Sequence, residues 1–174
     1  MKIIQAPLSS KNVIELKAGE EVLINGTIYA ARDAAHKNMV ESLEKGKEMP
    51  FAINGQIIYY TGPCPPAPGK VIGSAGPTTS SRMDAYTPAL LHQGLKVMIG
   101  KGDRSPEVIS AMQSEHAVYL AAVGGAGAYL AQRIIAAKVI AYPELGPEAL
   151  YELKVKDFPC IVAIDAHGNN LYQR

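Results

Sequence analysis

The chain has 174 residues, 48% of them apolar and 19% charged. That suits one domain of ordinary size with a real core and excludes a disordered tail. Seventeen Lys and Arg stand against sixteen Asp and Glu, and a net charge of +1 argues against a polybasic nucleic-acid binder. The two cysteines, Cys64 and Cys160, are too few for a four-thiolate metal site or a secreted disulfide framework. They read as ordinary thiols of a cytoplasmic protein.

The opening MKIIQAPLSS lacks the apolar stretch of a secretion signal. No uninterrupted run approaches the roughly 18 apolar residues of a membrane span. Glu21–Ala30 is rich in β-branched residues and predicts a strand. Asp33 then stands at an N-cap position, followed by a helix with Ala35, Met39 and Leu43 on one face and Gly46 as its stop. Ile53–Tyr60 contains Asn54-Gly55, a frequent hairpin turn. The proline-rich Thr61–Gly69 predicts a stiff surface connection.

Lys70–Ala75 predicts a short strand, and Gly76–Ser81 leads into a helix ending at Gly94. Pro88 kinks that helix or delays its start. Lys96–Gly100 reads as a strand. Ser105 and Pro106 read as N-cap and first helical residue of the next helix. Ala117–Val123 predicts a buried strand, and the segment after Gly124-Gly125-Ala126-Gly127 a helix reaching Ala137. That glycine cluster departs from GxGxxG and reads as a tight turn. The last third predicts strands over Lys138–Leu145, Ala149–Pro159 and Cys160–Gly168. Strand–helix alternation in the middle favours an α/β fold with a mostly parallel central sheet flanked by helices. The flanking β segments favour a second, smaller β-sheet.

Three segments carry chemistry. Gly76–Arg82 (GPTTSSR) sets four consecutive hydroxyls and an arginine before a predicted helix, which suits a carboxylate or phosphate. A single N-cap would need only one of those hydroxyls. Lys101–Ser105 (KGDRS) follows the next strand, and Ala31-Arg32-Asp33 follows an earlier one. Either alone would ordinarily be a solvated charge run. Together, Arg32, Arg82 and Lys101 lie at strand ends, where open α/β sheets bind ligands, and suit a small dicarboxylate. The histidines His36, His92, His116 and His167 form no metal-binding pair of the HxH, HxxxH or HExxH type, so no metal site is expected within this chain.

These residues also carry a resemblance. YTGPCPPAPGKVIGSAGPTTSSRMD (Tyr60–Asp84), the KGDRS element, ARDAAHK, VGGAGAYLAQ and ELKVKDFPCIVAIDAHGN follow in order along nearly the whole chain. Together they resemble the C-terminal domain of class I iron–sulfur fumarases. Asp103 departs from the commoner asparagine of that element.

The resemblance implies one swivelling β/β/α domain over residues 1–174, acting as the β subunit of an α/β hetero-oligomer. Its α subunit would hold a [4Fe–4S] cluster. The implied reaction is hydration of fumarate to L-malate. No nucleic-acid partner is expected, since the sequence has no basic stripe and no aromatic platform, and no membrane partner, since no apolar run is long enough. By motif, Thr78 matches the proposed base, Thr79 a substrate hydrogen-bonding residue, and Arg32, Arg82 and Lys101 carboxylate-binding positions. The β subunit of L(+)-tartrate dehydratase is similar, and a non-catalytic anion-binding module is a further alternative.

Overall fold

A computed structural model describes residues 1–122 and 127–173. The Gly124-Gly125-Ala126 turn lies outside the described residues. The strands are β1 (Lys2–Gln5), β2 (Glu21–Ala30), β3 (Ile57–Tyr59), β4 (Val97–Gly100), β5 (Val118–Ala121), β6 (Ile134–Ala141) and β7 (Leu150–Ile164). The α-helices are α1 (Ser10–Ile14), α2 (Asp33–Glu44), α3 (Thr87–His92), α4 (Pro106–Glu115) and α5 (Gly127–Ala131). Short 3-10 helices occupy Ser80–Met83 and Pro143–Glu148.

All seven strands join one sheet in the order β1-β2-β3-β4-β5-β7-β6. Strands β1 to β5 pair in parallel, and β7 runs antiparallel to β5, β6 and β2. Because β7 pairs with both β5 and β2, strands β2, β3, β4, β5 and β7 close into a ring. The expected second sheet is therefore absent among the described residues. Its strands complete the first sheet instead, which leaves fewer open edges.

The strand pleat sorts side chains into two cores. Ile57, Tyr59, Val97, Ile99, Val118, Leu120, Phe158 and Val162 share one core with Ile24 and Ile28. Ile58, Tyr60, Met98 and Tyr119 alternate with them and pack on the other face, with Met39 of α2, Leu90 and Leu91 of α3, and Val108 and Met112 of α4. Full burial of each such aliphatic chain contributes about 1.5–3 kcal/mol against the ordering entropy. Among the described residues, no helix is long and apolar enough to cross a membrane.

Several elements follow the local chemistry. The Ser105 side chain accepts from the Val108 N–H, Pro106 opens α4, and Val108, Ala111 and Met112 bury one helical face. Helix α3 begins late, with Pro88 in its first turn. Gly46 follows α2 with φ 70°, a conformation suited to glycine.

Other elements differ from expectation. Arg32, rather than Asp33, is the N-cap of α2, and it makes no side-chain capping bond. Asn54 and Gly55 do form a turn, but it leads into β3, which pairs in parallel, so no hairpin results. Lys70–Ala75 is not a strand. Its backbone turns onto its own loop, where Gly73 N–H donates to Cys64 O and Cys64 N–H to Ser74 O. Pro65, Pro66 and Pro68 lack the donors a ladder would need.

The helix at Gly127 stops at Ala131, and Ile134 starts β6, where the β-branched Ile134 and Ile135 suit a strand. The two expected C-terminal strands are one strand, β7, running through Pro159. β6 stops pairing at Val155 and β5 starts at Ile161. Pro159 therefore lies where one edge of β7 has no neighbour, and a missing donor is tolerated. The short β1 and α1 carry no strong sequence signal and are tertiary additions.

Candidate active site

The parallel strands β2, β3 and β4 end side by side, and each end carries part of the expected site. Arg32 follows β2 and caps α2. A side-chain carbon placed on Gly62, just past β3, would stand 2.8 Å from Arg32 Cδ and 3.2 Å from Pro147 O. Arg32 therefore crosses from the end of β2 to the end of β3, over a position that only glycine leaves open. Its Nε is buried without a hydrogen-bond partner, and the Asp33 carboxylate is 3.9 Å away. An orphaned guanidinium nitrogen favours an added acceptor.

The GPTTSSR segment lies between the ends of β3 and β4. Thr78 N–H donates to Tyr60 O at 2.7 Å, and Thr61 Oγ1 donates to Gly76 O at 2.8 Å. Thr79 forms an isolated parallel bridge with Lys101, and Ser80 N–H donates to Lys101 O at 2.9 Å. These bonds place Thr78, Thr79 and Lys101 on adjoining strand extensions. Thr78 is half-buried, while Thr79, Arg82 and Lys101 are exposed. Among the described residues, Arg82 and Lys101 make no salt bridge.

The segment enters a 3-10 helix of four residues, Ser80–Met83, rather than the expected α-helix. No hydroxyl caps it, since its N-cap Thr79 makes no side-chain capping bond. So short a helix offers little dipole, and an anion there would depend on the side chains.

Beneath this rim lies a buried polar layer that sequence reading passed over. Arg104, 4% exposed, donates from Nε to Asp84 Oδ1 at 2.8 Å. Its Nη2 donates to Thr87 Oγ1 at 2.9 Å and to the Tyr60 hydroxyl at 3.1 Å. Burial works against the charge, but Tyr60, the Asp84 carboxylate and Tyr119 hold the guanidinium pKa above its usual value. The only sequence signal was one more cation in KGDRS, with nothing to distinguish it from Lys101.

His36 is buried and half satisfied. Its Nδ1 donates to Arg32 O at 2.8 Å, which leaves Nε2 as a buried acceptor without a partner. Burial pushes its pKa down to about 4. His92 instead pairs with Glu115 at 2.9 Å, and His116 ends α4 in a left-handed conformation.

The cysteines do not fit an iron–sulfur cluster. Cys64 is exposed in the proline-rich loop, whereas Cys160 is buried in β7, where burial pushes its thiol pKa up. Among the described residues, no group of three or more His, Cys, Asp or Glu side chains stands ready for a metal.

Residues 2–174 match the family described as Fumarase C-terminus. The chain belongs to this family. Across its whole length it is 40% identical to the anaerobic class I fumarate hydratase of Escherichia coli K12, covering 31% of that protein. It is 38% identical to a putative class I fumarate hydratase of Geobacillus stearothermophilus, covering 98% of this chain and 33% of that protein. It is also 40% identical to a putative L(+)-tartrate dehydratase subunit beta of Methanocaldococcus jannaschii, over 95% of this chain and 88% of that one. The chain thus spans about a third of the length of the fumarate hydratases, but most of the length of the separate subunit. In this Fumarase C-terminus chain KGDRS follows β4, whereas GPTTSSR follows no strand, because Lys70–Ala75 forms none; the Thr79–Lys101 bridge brings the two segments together.

Proposed function

We propose that this chain is the β subunit of a class I fumarate hydratase, which adds water reversibly to fumarate to give L-malate together with an α subunit. The observation that carries the reading is the placement of Arg32 and Lys101 at the ends of β2 and β4, with Arg82 on the adjoining 3-10 helix. Two carboxylates need cations, and guanidinium groups bind them through paired N–H donors. Thr79, exposed beside Lys101, donates its hydroxyl to the bound acid. In the malate-to-fumarate direction Thr78 takes the proton from the carbon next to a carboxylate as hydroxide leaves the neighbouring carbon, and in hydration it returns that proton. An alcohol is a weak base, so its alkoxide requires the positive charge that Lys101 and Arg82 supply. The implied [4Fe–4S] cluster belongs to the α subunit, since this chain lacks its ligands. In this reading the domain is a swivelling β/β/α unit of a cytoplasmic enzyme, and it closes over substrate.

A second reading is the β subunit of L(+)-tartrate dehydratase. It is favoured by the match over 88% of a separate beta subunit in Methanocaldococcus jannaschii. Steady-state rates of the assembled α/β enzyme decide between them. The first reading expects kcat/KM for fumarate or L-malate at least about tenfold above that for L-tartrate, a difference of roughly 1.4 kcal/mol. The opposite ratio selects the tartrate enzyme. Absence of turnover on all three acids overturns both readings and leaves an anion-binding module. The chain without its partner is expected to be inactive.

A further inference from the structure

We propose that Arg104 is a positioning residue for the anion-binding rim, tying the Lys101 loop to the Arg82 segment without touching substrate. This rests on the functional reading above for what the rim binds, but its geometry is independent of that reading.

The tie runs both ways through one carboxylate. Arg104 Nε donates to Asp84 Oδ1 at 2.8 Å, while the Ser105 backbone N–H donates to Asp84 Oδ2 at 3.0 Å. Asp84 directly follows the 3-10 helix that carries Arg82. Arg104 and Ser105 stand just after Lys101 in the loop leaving β4. The guanidinium also reaches Thr87 Oγ1, which in turn donates to Met83 O at 2.7 Å, on that same helix. A second tie lies alongside. Ser80 Oγ and the Tyr119 hydroxyl are 2.7 Å apart, and that hydroxyl donates to Gly102 O at 2.8 Å.

Arg104 cannot itself be a substrate ligand. Its Nη1 contacts Met98 Sδ at 3.5 Å, and its other donors serve Asp84, Tyr60 and Thr87. Its charge lies near the rings of Tyr60 and Tyr119, 5.1 and 4.9 Å from their centroids. This closed arrangement needs a planar fork. A lysine ammonium carries the same charge but cannot reach Asp84, Thr87 and Tyr60 from one fixed plane. Lys101 and Arg82 have long, flexible side chains, so their joint aim at one dianion depends on how firmly their backbones are held.

The test uses the full chain assembled with its partner, as wild type, Arg104→Lys and Asp84→Asn. Both variants are expected to raise KM for the dicarboxylate about tenfold or more with kcat within about threefold, the pattern of lost uniform binding. Amide exchange of Ser80 and Ser105 is expected to rise about tenfold, while Ile24 and Ile28 in β2 stay protected. Unchanged KM and unchanged exchange at Ser80 overturn the proposal. Exchange that rises equally in β2, with KM unmoved, marks a merely structural residue and overturns it too. If Arg104→Lys does not fold, Asp84→Asn decides, because it keeps the cation and a carbonyl for Ser105. A wild-type enzyme with no turnover on either dicarboxylate defeats the functional reading, and the exchange measurement then judges the positioning by itself.

Discussion

The rim at the strand ends and the layer beneath it hold the same kind of charge under opposite conditions. Arg82 and Lys101 on the rim are exposed and, among the described residues, form no salt bridge. Arg104 beneath is 4% exposed and fully engaged with Asp84, Tyr60 and Thr87. An unpaired surface cation retains its solvation until an anion displaces the water, so it is free to bind. A buried cation persists only if its donors are satisfied, and it then resists movement. In the proposed reading, the difference separates a binding cation, Lys101, from a framework cation, Arg104, within a few residues of one loop.

Substitutions can break or sharpen this contrast. Arg82→Ala touches only the rim. In the assembled enzyme it is expected to lower kcat/KM by about 100- to 1000-fold, the range for removing a preorganised charge-stabilising donor. The melting temperature is expected to stay within about 2 °C, as for an exposed residue. Near-normal turnover in that variant would sink the proposed role of the rim.

The lower layer answers to pH instead. His36 is pushed down to about 4 by burial, from 6.5. A folded pKa below the unfolded one means that the unfolded chain binds the proton first. Stability is therefore full above about pH 6.5 and is lost as pH falls towards 4, by roughly 3 kcal/mol. Denaturation midpoints measured across that window test this, and His36→Phe is expected to flatten most of the slope. A variant with an unchanged slope would assign the acid sensitivity to carboxylates.

Gly100→Ala gives a smaller effect and probes the junction of the two regions. A side-chain carbon there would collide with Ser80 Oγ and stand 2.8 Å from the Tyr60 ring. Overpacking of this kind is expected to cost about 2 kcal/mol in denaturant unfolding. It also moves Ser80 off Tyr119, so activity is expected to fall together with stability, unlike the Arg82 case.

Much of the fold was legible where local chemistry and tertiary packing agree. Ser105 and Pro106 announced α4, and Pro88 announced the late start of α3. Expectation failed where long-range pairing overrode a local pattern. Pro159 looked like a strand end but sits within β7, at a stretch where one edge is free. Lys70–Ala75 had strand composition, but Gly73 and Ser74 bond to Cys64 of their own proline-rich loop rather than to a strand of the sheet. Alternating strands and helices also made the strand-end positions of Arg32 and Lys101 legible. The role of Arg104 was not, because its partners Asp84 and Tyr60 stand 20 and 44 positions away.

By itself the sequence determined a nearly neutral chain able to build a core, with too few cysteines for a cluster and cations at predicted strand ends. These follow from composition and from short-range periodicity, which burial and backbone geometry impose locally. Only the tertiary structure decided which cation is free and which is locked, and that β7 closes the sheet into a ring. Burial and hydrogen-bond satisfaction depend on residues far apart in the chain, so no local pattern encodes them.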